Sequence, residues 1–206
     1  MTIVHVVDDD ESMRTSLLRL LRASGLEAKG YSSAGDFLVH KPADEPGCLL
    51  LDVMMPGPSG IDLQKALKEQ AIHLPIVFMT GHADVASCAS ALKGGAIDYL
   101  EKPVVPEALL DAVQRALKRD EVARSQKAER ERLIAALGSL SGRERQIFAC
   151  VAAGKLNKQI ADELHVSERT IKAQRAALME KLGTDSAAGL GRLAERFELA
   201  LRAEEP

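Results

Sequence analysis

The chain has no Trp, and only 3% of its 206 residues are aromatic, so its core must be built from Leu, Val, Ile and Ala. Cysteine is as scarce: Cys48, Cys88 and Cys150 are scattered, odd in number and set at no metal-binding spacing. Each therefore reads as a small buried hydrophobe rather than a ligand or half of a disulfide. The five histidines (His5, His40, His73, His82 and His165) show no ligand spacing either. No apolar run approaches the ~18 residues of a membrane span. The opening residues, Met1 to Val7, lack a basic stretch before their apolar run and are followed at once by acids, which is not the pattern of a signal peptide. These absences lead to the expectation of a protein without a membrane partner, in a reducing cytoplasm.

What is present is enough for two domains. The net charge of −3 is unevenly spread: residues 1–120 carry 12 Lys and Arg against 17 Asp and Glu, and residues 121–206 carry 15 against 13. An acidic first half and a mildly basic second half imply different partners for each.

Residues 1–119 alternate short β-branched runs with helical patterns. Ile3 to Val7, Leu26 to Tyr31, Cys48 to Leu51, Ile76 to Met79 and Ile97 to Leu100 read as strands. Glu11 to Ser24, Ala34 to Val39, Gly60 to Gln70, Asp84 to Lys93 and a stretch opened by Pro106 read as helices. Apolar runs without alternation, separated by helices, predict an α/β fold: a five-stranded, parallel, doubly wound, flavodoxin-like sheet covered on both faces. Residues 120–138 are charged and Ala-rich, and read as a solvated helical linker rather than a coiled coil. Residues 139–206 show only helical patterns and predict an all-α, four-helix domain.

Polar residues fall at the ends of the apolar runs. Asp8, Asp9 and Asp10 follow the first strand, Asp52 the third, Thr80 ends the fourth and Lys102 the fifth. Open parallel sheets bind ligands at the carboxyl ends of their strands, where strand order reverses. If strands one and three flank that point, Asp8, Asp9 and Asp52 share one crevice. Two carboxylates ~4 Å apart repel by ~4 kcal/mol at an effective dielectric of 20, so three of them call for a cation. All-oxygen ligands with an incomplete shell suit Mg²⁺, which bridges to phosphate. A carboxylate beside such an ion can attack a phosphoryl group, with Lys102 placed to neutralise the transferring oxygens. Asp10 also reads as a cap for the helix at Glu11.

Four blocks (Val7-Asp8-Asp9, Leu51-Asp52-Val53-Met54-Met55-Pro56-Gly57, Met79-Thr80-Gly81-His82 and Asp98-Tyr99-Leu100-Glu101-Lys102-Pro103) resemble the signature of response-regulator receivers. The resemblance implies Asp52 as phosphoacceptor. It implies Mg²⁺ on Asp9, Asp52 and the backbone carbonyl of Met54, with Asp8 assisting through water. It implies too that Lys102 pairs with the phosphoryl group and that the Lys102-Pro103 peptide is cis. By the same resemblance Thr80 and Tyr99 would form the switch: the hydroxyl would move to the phosphoryl oxygen and the ring turn inward, altering the surface from Ala86 to Leu92 and from Ile97 to Leu100. Val104 departs from the family's usual Phe.

In the second half, Ser141 and Glu144 form a capping box for a helix that Gly154 stops. Asn157 is expected to cap the next helix, Lys158 to Leu164, and Ser167 a third, Glu168 to Leu182. Asp185 is expected to start a fourth. Two helices about a tight turn, the second basic, make a helix-turn-helix pattern. With Ile171, Leu178 and Leu182 inward, Arg169, Lys172, Ala173 and Ala176 face outward and Arg175 flanks them, small residues between cations that suit a major groove. Residues 140–199 resemble the LuxR-type DNA-binding domain, through Leu140 to Arg145, Ala153-Gly154-Lys155, Asn157 to Ala161 and Ser167 to Lys172. This adds Lys158 and Thr170 to the candidate DNA contacts. Gln174 stands where many members have His, and Leu156 where a small polar residue is common.

Together the halves resemble the FixJ-like response regulators, which implies a transcriptional regulator and not an enzyme. The implied partners are a sensor histidine kinase, double-stranded promoter DNA, a second copy of the chain when phosphorylated, and RNA polymerase. An aspartyl-phosphate phosphatase would need an acid two residues after its nucleophile, where this chain has Met54. A phosphorylation-independent interaction module would not need the complete set of Asp8, Asp9, Asp52, Thr80 and Lys102.

Overall fold

A computed structural model describes residues 2–40, 44–81 and 94–202. The expected helix from Asp84 to Lys93, the switch surface from Ala86 to Leu92, His82 and Cys88 lie outside the described residues. The chain divides into two compact units, Met1–Arg124 and Ser125–Pro206.

The first unit holds strands β1 (Ile3–Val7), β2 (Glu27–Tyr31), β3 (Gly47–Asp52), β4 (Ile76–Thr80) and β5 (Asp98–Glu101). Helices α1 (Glu11–Ala23), α2 (Ala34–His40) and α3 (Gly60–Glu69) alternate with them, and α4 (Pro106–Gly138) follows. The sheet order is β2-β1-β3-β4-β5, and all its pairings are parallel. The order reverses between β1 and β3, as the crevice argument requires.

Side chains alternate across a strand with period two, which sorts the core into two layers. Val4, Val6, Cys48, Leu50, Val77 and Met79 face Leu17 and Leu21 of α1 and Leu109, Val113 and Ala116 of α4. Val7, Leu49, Leu51 and Phe78 face Phe37 of α2 and Leu63 and Leu67 of α3. Both faces are apolar because both are covered, so every residue of β3 is buried. Burial pushes the Cys48 thiol up to about 12, with Asp120 nearby adding to the shift, so it stays protonated.

The expectation of a solvated linker at 120–138 is corrected at both ends. Asp120 is buried, and its carboxylate accepts from the Gly47 amide and from Arg124, each at 2.9 Å. Arg124 also donates to the carbonyls of Asp44 (3.0 Å) and Glu45 (2.7 Å). Leu133 and Leu137 are buried in the core of the second unit. Residues 125–129 between these anchors are exposed. Each anchor depends on a partner distant in sequence, which helical periodicity does not report.

The second unit adds α5 (Gly142–Ala152), α6 (Asn157–Glu163), α7 (Glu168–Lys181) and α8 (Ala187–Arg202). Ile147, Phe148, Val151, Ile160, Ala161, Ile171, Leu178 and Leu190 form its core with the end of α4. The Ser141/Glu144 capping box is present, and Ser167 caps α7 through the Thr170 amide. Two expected caps are corrected. Leu156, not Asn157, precedes α6, and its amide donates to the Gln159 side chain at 2.8 Å. Asp185 does not start the last helix, which begins at Ala187, with Ser186 accepting from the Gly189 amide at 3.1 Å.

His5 is a polar exception in the first unit's core. Its ring is fully buried against Tyr31 and Phe37, and Nδ1 lies 3.1 Å from the Tyr31 hydroxyl. Nε2 is buried with no partner among the described residues. Burial, with Lys29 adding to it, lowers its pKa from 6.5 to about 4. Between those values the unfolded chain binds a proton that the native ring refuses. Stability therefore falls as pH drops from 6.5 to 4, by about 3 kcal/mol in full. In urea titrations of wild type and His5→Gln, the stability difference between pH 7 and pH 5 is expected to shrink in the variant.

Candidate functional site

Register builds the site. Val7 pairs with Leu51 in adjacent parallel strands, so Asp8 and Asp52 leave the same edge of the sheet side by side. Thr80 ends β4, and Lys102 follows β5, its amide donating to the Thr80 carbonyl at 2.7 Å. Gly60 brings α3 against the end of β3. A Cβ there would lie 2.2 Å from the Asp52 carbonyl oxygen, so only glycine permits the approach.

Asp8 and Asp52 are buried, and Asp9 is exposed. The three carboxylates offer oxygens within 4.8 Å of one another. The Lys102 ammonium donates to Asp8 at 2.8 Å and to Asp52 at 2.7 Å. The second oxygen of Asp8 accepts from the Asp10 amide at 2.9 Å, and that of Asp52 from the Met54 amide at 3.2 Å. Burial pushes the Asp8 carboxyl up, against the pull of Lys102. Burial alone would lower Lys102, but its bonds to Asp52 and Asp8 outweigh it and hold the ammonium above its ordinary value. One ammonium faces three carboxylates, a donor set of hard oxygens still short of positive charge.

Asp10 caps α1, accepting from the amides of Ser12 and Met13. Thr80 is buried. The Tyr99 ring lies 6.3 Å from that of Phe78, and its hydroxyl is buried with no partner among the described residues. Lys102-Pro103 is cis. Met54, whose carbonyl was expected to serve the site, has an exposed side chain at the site's rim. Two residues at this edge escaped the sequence reading. Arg14 donates to the Asp8 carbonyl at 2.7 Å, and nothing in its helical spacing announces that. Gly60 had a signal, since glycine opening a helix is a poor helix former that implies close backbone approach.

In the second unit, α6, a turn at His165 (φ 54°) and α7 form the helix-turn-helix. Arg169, Lys172, Ala173 and Ala176 of α7 and Lys158 of α6 are exposed, and Thr170 is half-buried with its hydroxyl 2.8 Å from that of Ser167. Arg175 is half-buried, and its guanidinium donates to the Asn157 side chain, tying α7 to α6. Gln174 turns inward too: its side-chain oxygen is buried with no partner among the described residues.

Residues 4–114 match the response regulator receiver domain, and residues 138–194 match the bacterial regulatory proteins of the luxR family. Nodulation protein W of Bradyrhizobium diazoefficiens is 42% identical over 198 residues, covering 96% of this chain and 87% of that protein. The transcriptional regulatory protein FixJ of the same organism is 41% identical over 193 residues, covering 94% of each chain. The solved structure of response regulator StyR matches with 42% identity and a TM-score of 0.88, over 95% of this chain and 98% of that one.

The chain belongs to the FixJ-like response regulators.

As a response regulator it is a phosphorylation-dependent transcriptional regulator, a receiver followed by a LuxR-type DNA-binding domain, in a family of transcription factors rather than enzymes. Among the described residues, no helix is long and apolar enough to cross a membrane.

The Arg175 contact generates a prediction. Arg175→Ala is expected to lower the stability of the DNA-binding unit by about 1–2 kcal/mol, because a charge-assisted bond between two helices is lost. Lys172→Ala, at an exposed site, is expected to change it by less than about 0.5 kcal/mol. Thermal unfolding of both variants checks this, and a double-mutant cycle with Asn157→Ala isolates the contact.

Proposed function

We propose that Asp52 is the phosphoacceptor and that Asp8, Asp9 and Asp52 form the acidic site for Mg²⁺, with the Met54 carbonyl as a further ligand. The observation that carries this is the Lys102 ammonium bonded to both Asp8 and Asp52, with Asp9 within reach of both. Asp9 is the exposed member of the set and serves as a direct ligand. Asp8, the most deeply buried of the three, assists through water.

A sensor histidine kinase supplies the phosphoryl group. An Asp52 carboxylate oxygen attacks phosphorus, the bond from phosphorus to the kinase's imidazole nitrogen breaks, and the imidazole leaves with that electron pair. Lys102 follows the charge from the carboxylate to the phosphoryl oxygens. Mg²⁺ supplies Lewis-acid neutralisation of the same oxygens. Thr80, buried at the end of the adjoining strand, then bonds a phosphoryl oxygen. Tyr99, whose hydroxyl is already buried, occupies the space the Thr80 side chain leaves.

The output is promoter binding by a cytoplasmic homodimer, with RNA polymerase as the further partner. The receiver is assigned to the first unit and DNA binding to the second. Arg169, Lys172 and Lys158 supply the exposed cations, with Thr170, Ala173 and Ala176 lining the same surface. Arg175 contributes through its hold on Asn157 and flanks that surface. A basic half this weakly charged binds DNA poorly as a monomer, so pairing two copies supplies affinity.

Selection of genomic fragments by the full chain tests the whole reading. With Mg²⁺ and beryllofluoride, wild type is expected to enrich one roughly symmetric motif that untreated protein and Asp52→Ala do not. Equal enrichment by all three would keep the DNA surface and remove phospho-control. No enrichment by any folded sample would remove the DNA-binding assignment. Lys172→Ala is expected to weaken binding of all fragments and reduce the slope of log affinity against log salt by about 1.

A further inference from the structure

Arg14 lies one turn into α1, its amide bonded to the Asp10 carbonyl at 2.9 Å. Its side chain runs back towards the start of the helix, the direction that helical rotamers favour. There Nη1 donates to the Asp8 carbonyl at 2.7 Å and, at the limit of bonding distance, to the Asp9 carbonyl at 3.5 Å. The stem passes over Gly30 of β2. A Cβ on Gly30 would lie 3.2 Å from both Cγ and Cδ of Arg14 and 2.9 Å from Cδ1 of Leu18, so the strand is bare where the arginine crosses it.

These two carbonyls lie between the last residue of β1 and the cap of α1, in the segment that aims the Asp8 and Asp9 side chains. The Asp8 carboxylate is held by Lys102 and the Asp10 amide. The Asp9 carboxylate has no such restraint: it is exposed and makes no hydrogen bond among the described residues. Its direction depends on its backbone, and the side chain that grips this backbone is Arg14.

We infer that Arg14 is a positioning residue for the acidic site, a guanidinium clamp on the Asp8 and Asp9 carbonyls that preorganises the two carboxylates for a divalent cation. The inference rests on the reading of Asp8, Asp9 and Asp52 as the cation-binding set. Groups that orient metal ligands contribute to affinity without touching the metal. Arg14 is also a cation beside an acidic cluster, and as a bare charge it would repel Mg²⁺. The two roles have opposite signs: losing a clamp weakens Mg²⁺ binding, whereas losing a charge tightens it.

Calorimetric titration of the full chain with Mg²⁺ separates them. Arg14→Met keeps the stem over Gly30 and removes the guanidinium, and is expected to weaken Mg²⁺ binding about 10-fold. Arg14→Lys keeps a charge but not the planar guanidinium that holds Nη1 on the two carbonyls, and is expected to lose less. With acetyl phosphate as donor, the Mg²⁺ concentration for half-maximal phosphorylation of Arg14→Met should rise by the same factor. Its rate at saturating Mg²⁺ should stay within about twofold of wild type, a split that general destabilisation does not produce. Unchanged or tighter Mg²⁺ binding by folded Arg14→Met would overturn the clamp. If melting in chelator shows that Arg14→Met does not fold, Arg14→Lys decides: weaker binding supports the clamp and unchanged binding overturns it. Asp9→Asn tests the parent reading separately. Wild-type Mg²⁺ affinity in that variant would remove the acidic site itself, and the clamp with it.

Discussion

Two carboxylates sit at the dry end of a parallel sheet, and the ammonium of Lys102 bridges them. Much of the first unit follows from that contact. An ionised carboxylate out of water costs several kcal/mol unless it is paired, and Asp8 is fully buried while Asp52 is nearly so. The lysine comes from beyond β5 and crosses the end of β4 to reach β3 and β1, a span that suits a long unbranched side chain. The arrangement requires β1 beside β3, parallel and in register, and a helix that enters close enough to need Gly60. The same bridge leaves the pocket under-neutralised. One positive charge meets three carboxylates, and the most exposed of them, Asp9, remains open.

The second unit is organised by apolar packing, and its proposed DNA-binding surface is what that packing leaves over. Ile171 and Leu178 turn one face of α7 into the core and so turn Arg169, Lys172, Ala173 and Ala176 outward. The exposed cationic surface is narrower than helical periodicity implies, because Arg175 is engaged with Asn157. That bond joins the two helices of the motif, so one arginine serves the geometry of the surface more directly than its charge. The end of α4 is anchored in the core of the second unit by Leu133 and Leu137, and its middle within the first unit by Asp120 and Arg124. A segment whose composition suggests a spacer thus supplies core residues and a buried carboxylate.

Most of the secondary structure was legible in the sequence. Buried strands announced themselves as unbroken apolar runs, and the Ser141 and Ser167 caps obey local hydrogen-bond rules. The candidate site was legible because its acids, its threonine and its lysine all fall where strands end. Legibility failed where a side chain had two possible partners. Asn157 has the chemistry of a cap, but Arg175 from the next helix takes its oxygen, and Gln159 supplies the capping acceptor instead. Asp120 looks like one more linker charge until the amide of Gly47, far away in sequence, is found bonded to it.

By itself the sequence determined most of what acts over a few residues or repeats with a period: the described strands and helices and their order, the two apolar faces of the sheet and the positions of the acids at strand ends. Those depend on rotamers, capping and side-chain alternation, which are local. Only the tertiary structure decided which charges meet: Lys102 with Asp8 and Asp52, Arg14 with the Asp8 carbonyl, Arg124 with the Glu45 carbonyl, Arg175 with Asn157. A long cationic side chain reaches several acceptors of nearly equal strength. The choice among them is made by burial, which removes water as a competitor and exists only once the chain has packed.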